Sequence, residues 1–88
     1  MQAYILLNCV PGLERETIAE VKKISEVEEV NGIMGRYDII VKVASSEPDG
    51  IDKVVRKIRI IKHVTSSYTM PVLLAKVEAS TLDYITRK

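Results

Sequence analysis

The spacing of apolar residues changes repeatedly along this chain, and that change restricts the folds it can adopt. Short β-prone apolar runs, over residues 3–9 and 38–43, are typical of strands. In residues 13–25 and 51–61, apolar side chains instead recur every three or four positions, which predicts amphipathic helices. A chain that carries both periods buries its apolar surface by packing helices against a sheet.

Two more strands complete the predicted order. Residues 27–34 form a weaker, partly polar strand, and a turn at Gly35 joins it to residues 38–43 as a hairpin. Residues 64–77 form the last strand, in which Pro71 indicates a sheet edge or a bulge.

The resulting order, β-α-β-β-α-β, predicts an α+β protein with a ferredoxin-like βαββαβ fold. Right-handed crossovers give a four-stranded antiparallel sheet with two helices on one face. The other face carries apolar residues of the first and third strands, so we expect two copies to pair as a dimeric α/β sandwich or barrel. We assign residues 1–77 to this domain and residues 78–88 to a C-terminal tail.

Size and composition also favour self-association. The chain has 88 residues with 47% apolar content, and a domain this small buries only about 60% of its unfolded surface. A single cysteine, Cys9, excludes an intrachain disulfide, and with a single histidine, His63, the sequence has no Cys/His cluster at metal-ligand spacing. Oligomerisation is the remaining common way to stabilise such a domain.

Several classes of partner are disfavoured by charge and by missing motifs. The net charge is +1, so nothing attracts the whole molecule to nucleic acid or to anionic membranes. No apolar run reaches membrane-spanning length and the first residues do not resemble a signal peptide, so we expect a cytoplasmic protein. We find no phosphate-binding loop and expect no cofactor.

Two alternative functions depend on particular residues. Cys9 and His63 are the only Cys/His pair and nothing brings them together, so we expect no catalytic residue. A small dimeric enzyme of oxygenase or isomerase type would need an acid or a histidine on the open sheet face, and none is clearly placed there. A nucleic-acid accessory role would use the basic residues of the second helix, whose ordinary interpretation is a solvated face. These residues are Lys53, Arg56, Lys57, Arg59 and Lys62.

The most informative polar constellation joins a turn to a strand. Glycine in the turn exposes backbone N–H groups that can receive a carboxylate, and Asp38 can pair with an ammonium group. Alternating hydroxyl residues in the last strand share one face, so the set could bind a free amino acid. In the alternative interpretation, Asp38 caps the turn and the hydroxyl residues are ordinary strand residues. The candidate ligand-binding residues are Gly35, Arg36, Tyr37, Asp38, Thr65, Ser67 and Thr69.

From residue 3 to residue 77, the chain resembles the ligand-sensing (RAM) domain of the Lrp/AsnC family of feast/famine transcription regulators. The resemblance rests on Pro11-Gly12 before the first helix, on the Gly-x-Tyr-Asp run that begins at Gly35, and on the hydroxyl-bearing last strand. The chain starts directly with the first strand, where the family has a helix-turn-helix domain. It therefore looks like a stand-alone form that does not itself read DNA sequence.

This resemblance implies a sensing module rather than an enzyme. Such domains pair through their sheets, and the dimers assemble into tetramers or octamers. Amino-acid effectors bind between dimers, which maps the turn to Gly35, Tyr37 and Asp38 and the facing strand to the hydroxyl residues. The implied partners are further copies of the chain, a free amino acid and full-length regulators of the same family.

Overall fold

The structure, a computed structural model, describes residues 1–73 and contains the predicted βαββαβ order. The elements are β1 (Gln2–Cys9), α1 (Glu14–Val21), β2 (Val27–Gly32), β3 (Ile39–Ala44), α2 (Gly50–Arg59) and β4 (Val64–Pro71). Four antiparallel strands form one sheet in the order β2-β3-β1-β4, which confirms the predicted fold class.

Alternation along the central strands places one set of side chains in the core. Ile5 lies opposite Val41 of β3 and Thr69 of β4, and Leu7 lies opposite Ile39 and Ser67. Inward residues of β1 and β3 form a single buried cluster with residues of α1 and α2, so both helices cover the same face. The fully buried residues of this cluster are Ala3, Ile5, Leu7, Val21, Ile39, Val41, Val43, Val54 and Ile58.

Both helices end earlier than their apolar spacing predicts. After Val21 the chain tightens, since the Ile24 N–H donates to the Val21 carbonyl at 3.1 Å. The same short turn follows α2, where the Ile61 N–H donates to the Ile58 carbonyl at 3.0 Å. Ile24 and Ile61 lie in these turns and still pack against the core. Each therefore continued the apolar spacing in the sequence beyond the residue at which the helix ends.

The two edge strands differ in how they are protected. β2 carries Glu28 and Glu29, and its pairing with β3 shifts register between Val27 and Glu29. β4 contains no charged residue and ends at Pro71, at the sheet edge that the proline indicated. Charges discourage edge pairing, so of these two strands only β2 is protected by charge. The predicted continuation of the last strand to residue 77 and the tail 78–88 lie outside the described residues.

The sheet face opposite the helices, called the open face here, is apolar at its centre. Cross-strand pairing aligns Ile40, Leu6 and Tyr68 in one row, and Tyr4 and Met70 lie in the next. Tyr68, on the edge strand β4, is 56% exposed, which is high for an aromatic side chain in the middle of a strand. The apolar character predicted for this face is confirmed, and its cover by a second copy stays a prediction. No helix within residues 1–73 is long and apolar enough to cross a membrane.

Two isoleucines of one helix region provide a matched test of the core. Ile58 is fully buried, whereas Ile60 is 83% exposed. We expect Ile58→Ala to lower the free energy of unfolding by about 2–5 kcal/mol, because it leaves a cavity in the core. Ile60→Ala should change it by less than about 0.5 kcal/mol. Urea unfolding at one fixed protein concentration measures both values, and equal losses would contradict the described packing.

Candidate ligand-binding site

The turn between β2 and β3 is closed by a backbone hydrogen bond. The Ile33 N–H donates to the Asp38 carbonyl at 2.9 Å. Gly35 has a φ of +136°, in the region that side-chain-bearing residues rarely adopt, although nothing lies within 4 Å of the position its Cβ would take. Backbone conformation rather than space therefore requires glycine here.

Asp38 anchors this turn to the central strand through main chain and side chain. Its N–H donates to the Leu7 carbonyl at 2.9 Å, and its Oδ2 accepts the Cys9 N–H at 3.0 Å. The carboxylate thus satisfies a backbone donor where β1 ends, which is the structural role that the sequence left open. Its Oδ1 accepts no hydrogen bond from residues 1–73, which leaves one oxygen for a ligand.

Tyr37 brings the turn against β4. Its ring stacks on Tyr68, with centroids 6.4 Å apart and planes inclined by 19°. Tyr68 lies on the open face opposite Leu6, so the turn folds toward that side of the sheet. Arg36 is exposed and forms no ion pair with the described residues.

The three hydroxyl residues lie apart from the turn within one chain. Ser67 and Thr69 face the helices, since they lie opposite the buried Leu7 and Ile5. Thr65 occupies the register shift between the pairs Asn8–Ser66 and Cys9–Val64, so the predicted alternation fails at this residue.

These hydroxyls also divide between two cavities. Thr65 and Ser67 line one of about 330 Å³, and Thr69 lines another of about 380 Å³ beside Ile51 and Asp52. Within one chain, the turn between β2 and β3 contacts β4 through the stacking of Tyr37 on Tyr68. A site that uses both groups of predicted residues therefore has to include a second chain.

Glu29 is an acid on the open face that the sequence analysis did not place there. It lies opposite Lys42, and its Oε2 accepts a hydrogen bond from Asn31 at 2.8 Å. The bulge at Glu28 reverses the alternation, so that Val27 and Val30 both face the core. The three-residue spacing of these valines in the sequence was the signal from which the bulge could have been inferred. Tyr4 and Ile40 complete the small cavity of about 140 Å³ that Glu29 lines.

Cys9 is buried and is not positioned as a nucleophile. Burial raises the pKa of its thiol, and the nearby Asp38 carboxylate raises it further, while a hydrogen bond with Thr17 opposes the shift. His63 accepts the Val10 N–H at its carbonyl, at 3.0 Å, and its side chain lines a groove between the helices. No group of three His, Cys, Asp or Glu residues within residues 1–73 could hold a metal ion.

The basic residues of α2 are partly neutralised by neighbours. Lys53 pairs with Glu47 at 3.2 Å and with Asp49 at 3.7 Å. Lys57 pairs with Glu26 at 3.4 Å. Hydrogen bonds from the backbone and from Ser25 to the Glu26 carboxylate lower the pKa of that carboxyl group. The positive stripe is therefore weaker than its sequence indicates, which disfavours nucleic-acid binding through this helix.

The fold and the turn agree with a known family. The family model described as the Lrp/AsnC ligand binding domain matches residues 2–82. The chain belongs to this family. It is a ligand-sensing regulatory module, as the resemblance implied.

Individual relatives of this Lrp/AsnC domain differ in length. It is 32% identical to the hypothetical protein PHS023 of Pyrococcus horikoshii, with a TM-score of 0.75 over 84% of this chain and 90% of that one. It is also 32% identical over 74 residues to a homocitrate synthase of Sulfurisphaera tokodaii, and the match covers 83% of this chain but only 16% of the enzyme.

A longer regulator shares the fold. The feast or famine regulatory protein of M. tuberculosis, solved with L-methionine, has a TM-score of 0.74 at 16% identity. That similarity covers 89% of this chain and 53% of the regulator.

Substitutions of Asp38 separate its structural role from its charge. Asp38→Ala removes the acceptor of the Cys9 N–H, so we expect it to lower the free energy of unfolding by about 1–3 kcal/mol. Asp38→Asn keeps an oxygen acceptor without the charge and should lie much closer to wild type. Urea unfolding of the three proteins tests this expectation, and an alanine variant as stable as wild type would exclude the anchoring role.

The burial of Cys9 predicts an unreactive thiol. Because its folded pKa lies above the ordinary value of 9.0, the folded protein retains a proton that the unfolded chain loses. Stability should therefore fall as pH rises above 9, and this fall should be smaller in Cys9→Ala. Reaction with a thiol reagent at pH 8 should proceed only after unfolding in urea. Rapid labelling of the folded protein would contradict this description.

Proposed function

We propose that this domain senses a free amino acid and acts as an oligomerisation module in transcription regulation. The observation that carries the proposal is the Gly35–Asp38 turn, which hydrogen bonds anchor to β1. The chain that carries this turn belongs to a ligand-binding family. A regulator of the same fold binds L-methionine, which supports an amino acid as the effector class.

The chemistry of the turn suits the two charged groups of an amino acid. The Oδ1 of Asp38, which accepts no hydrogen bond within residues 1–73, can accept one from an ammonium group, and charge-assisted bonds of this kind are strong. The backbone around Gly35 can donate to the carboxylate. Because Ser67 and Thr69 face away from the turn in their own chain, the proposed site takes its hydroxyls from a neighbouring subunit.

Signal transmission then follows from assembly. The apolar open face supports a sheet-to-sheet dimer, and a ligand held between dimers favours the larger assembly over the dimer. A full-length regulator that presents the same surfaces could co-assemble with this chain. We place this activity in the cytoplasm, where a free thiol such as Cys9 stays reduced.

A second candidate function is suggested by the enzyme relative. A segment similar to this chain makes up 16% of a homocitrate synthase, so a domain of this kind also occurs within a biosynthetic protein. In that role this chain would bind an amino acid and control a catalytic partner, with the same effector site. The two candidate functions therefore differ in what the domain controls, which is transcription in the first and an enzyme in the second.

Thermal unfolding with each common amino acid tests the proposal. A ligand at about 100 times its Kd adds about 2.7 kcal/mol, which raises the midpoint of a domain this small by roughly ten degrees or more. We expect a shift that is selective for one amino acid or for a few related ones.

The matched variants are Asp38→Asn, which should abolish the shift, and Glu28→Gln, at an exposed residue of β2 that lines none of the cavities described, which should preserve it. An undiminished shift in Asp38→Asn would remove the carboxylate from the site. The absence of any shift in the wild-type protein would refute amino-acid sensing.

A further inference from the structure

A polar cavity lies where α2 ends beside the start of β4. Its volume is about 330 Å³, within the range of about 300–1,000 Å³ that is usual for small-molecule sites. Among residues 1–73, Arg59, the last residue of α2, is the one charged residue that lines it, and Val64 is the one apolar residue. The other lining residues are Thr65, Ser66 and Ser67.

Three consecutive hydroxyl residues of β4 line this cavity. Thr65 lies at the bulge, whereas Ser66 and Ser67 pair regularly with Asn8 and Leu7, so their side chains point to opposite faces and Ser67 lies on the side of the helices. The Ser66 hydroxyl instead accepts a hydrogen bond from Asn8 Nδ2 at 3.1 Å, which leaves Thr65 and Ser67 as the hydroxyl donors considered for the cavity.

The charge of this cavity differs from that of its neighbours. No carboxylate of residues 1–73 lines it, whereas Glu16 and Glu20 line the groove between the helices, Glu29 lines the cavity on the open face, and Asp52 lines the cavity at the start of α2. Arg59 forms no ion pair with residues 1–73. Within the described part of the chain, the cavity therefore combines a guanidinium that no acid pairs with and hydroxyl donors, a combination that favours an oxyanion.

We propose that Arg59, with the hydroxyl groups of Thr65 and Ser67, forms an oxyanion-binding subsite that shares the carboxylate of the amino-acid effector with the backbone of the Gly35–Asp38 turn. The planar guanidinium matches a carboxylate with two parallel hydrogen bonds, and it also suits a phosphate group. The assignment of the effector carboxylate rests on the proposed function, because Thr65 and Ser67 are residues of the proposed amino-acid site as well as of this subsite. The subsite itself can be tested without any amino acid.

The test titrates acetate and, separately, inorganic phosphate into the ¹⁵N-labelled full chain at constant ionic strength. It follows the arginine Nε–Hε signals and the amides of residues 64–67. Arg59→Gln is the test variant and Arg56→Gln the matched control, since both arginines lie in the last turn of α2 but only Arg59 lines the cavity.

We expect saturable shifts in wild type and Arg56→Gln, with affinity at least about tenfold lower in Arg59→Gln, as loss of a charged hydrogen bond implies. Tighter binding of acetate assigns a carboxylate ligand, and tighter binding of phosphate overturns that assignment in favour of a phosphorylated ligand.

Three results separate failure of the subsite from failure of the proposed function. Unsaturable shifts, or equal affinity in both variants, overturn the subsite. If an amino acid raises the melting midpoint equally in wild type and Arg59→Gln, sensing stands but its carboxylate does not bind at Arg59. If no amino acid binds while acetate still saturates at Arg59, the subsite stands as an anion site and amino-acid sensing fails.

Discussion

The pairing of β1 with a strand on each side is the interaction on which the rest of this domain depends. Its inward residues Ile5 and Leu7 are fully buried, and its hydrogen bonds align β3 and β4. Where β1 ends, the Cys9 N–H is accepted by the Asp38 side chain instead of a strand carbonyl. The candidate turn is therefore anchored to the same strand that organises the core.

Much of this architecture is readable from the residues because burial repeats with a regular period. The alternation of Ile39, Val41 and Val43 identified both the strand and its inward face. The bulges were not predicted, because each depends on how two strands pair, although the spacing of Val27 and Val30 was a sign of the one in β2. Val27 and Val30 can both reach the core only when Glu28 bulges out of the strand pairing. The bulge therefore depends on the register between β2 and β3.

The site was less predictable than the fold, and the reason is physical. Gly35 and Asp38 could be identified because a turn is local and its residues have few alternatives. The stacking of Tyr37 on Tyr68 and the cavity beside Arg59 arise only when segments far apart in sequence meet. Arg59 appeared in the sequence only as one member of a basic helix face, since nothing local distinguishes it from Arg56.

The unequal edges of the sheet limit how copies of this domain could join strand to strand. The acidic β2 resists a partner, whereas the uncharged β4 offers backbone groups in the part of the chain described. Addition of one β4 to another relates the two copies by a two-fold axis. Such a contact uses the uncharged edge of both copies, so the described part of the sheet leaves no uncharged edge for a third copy.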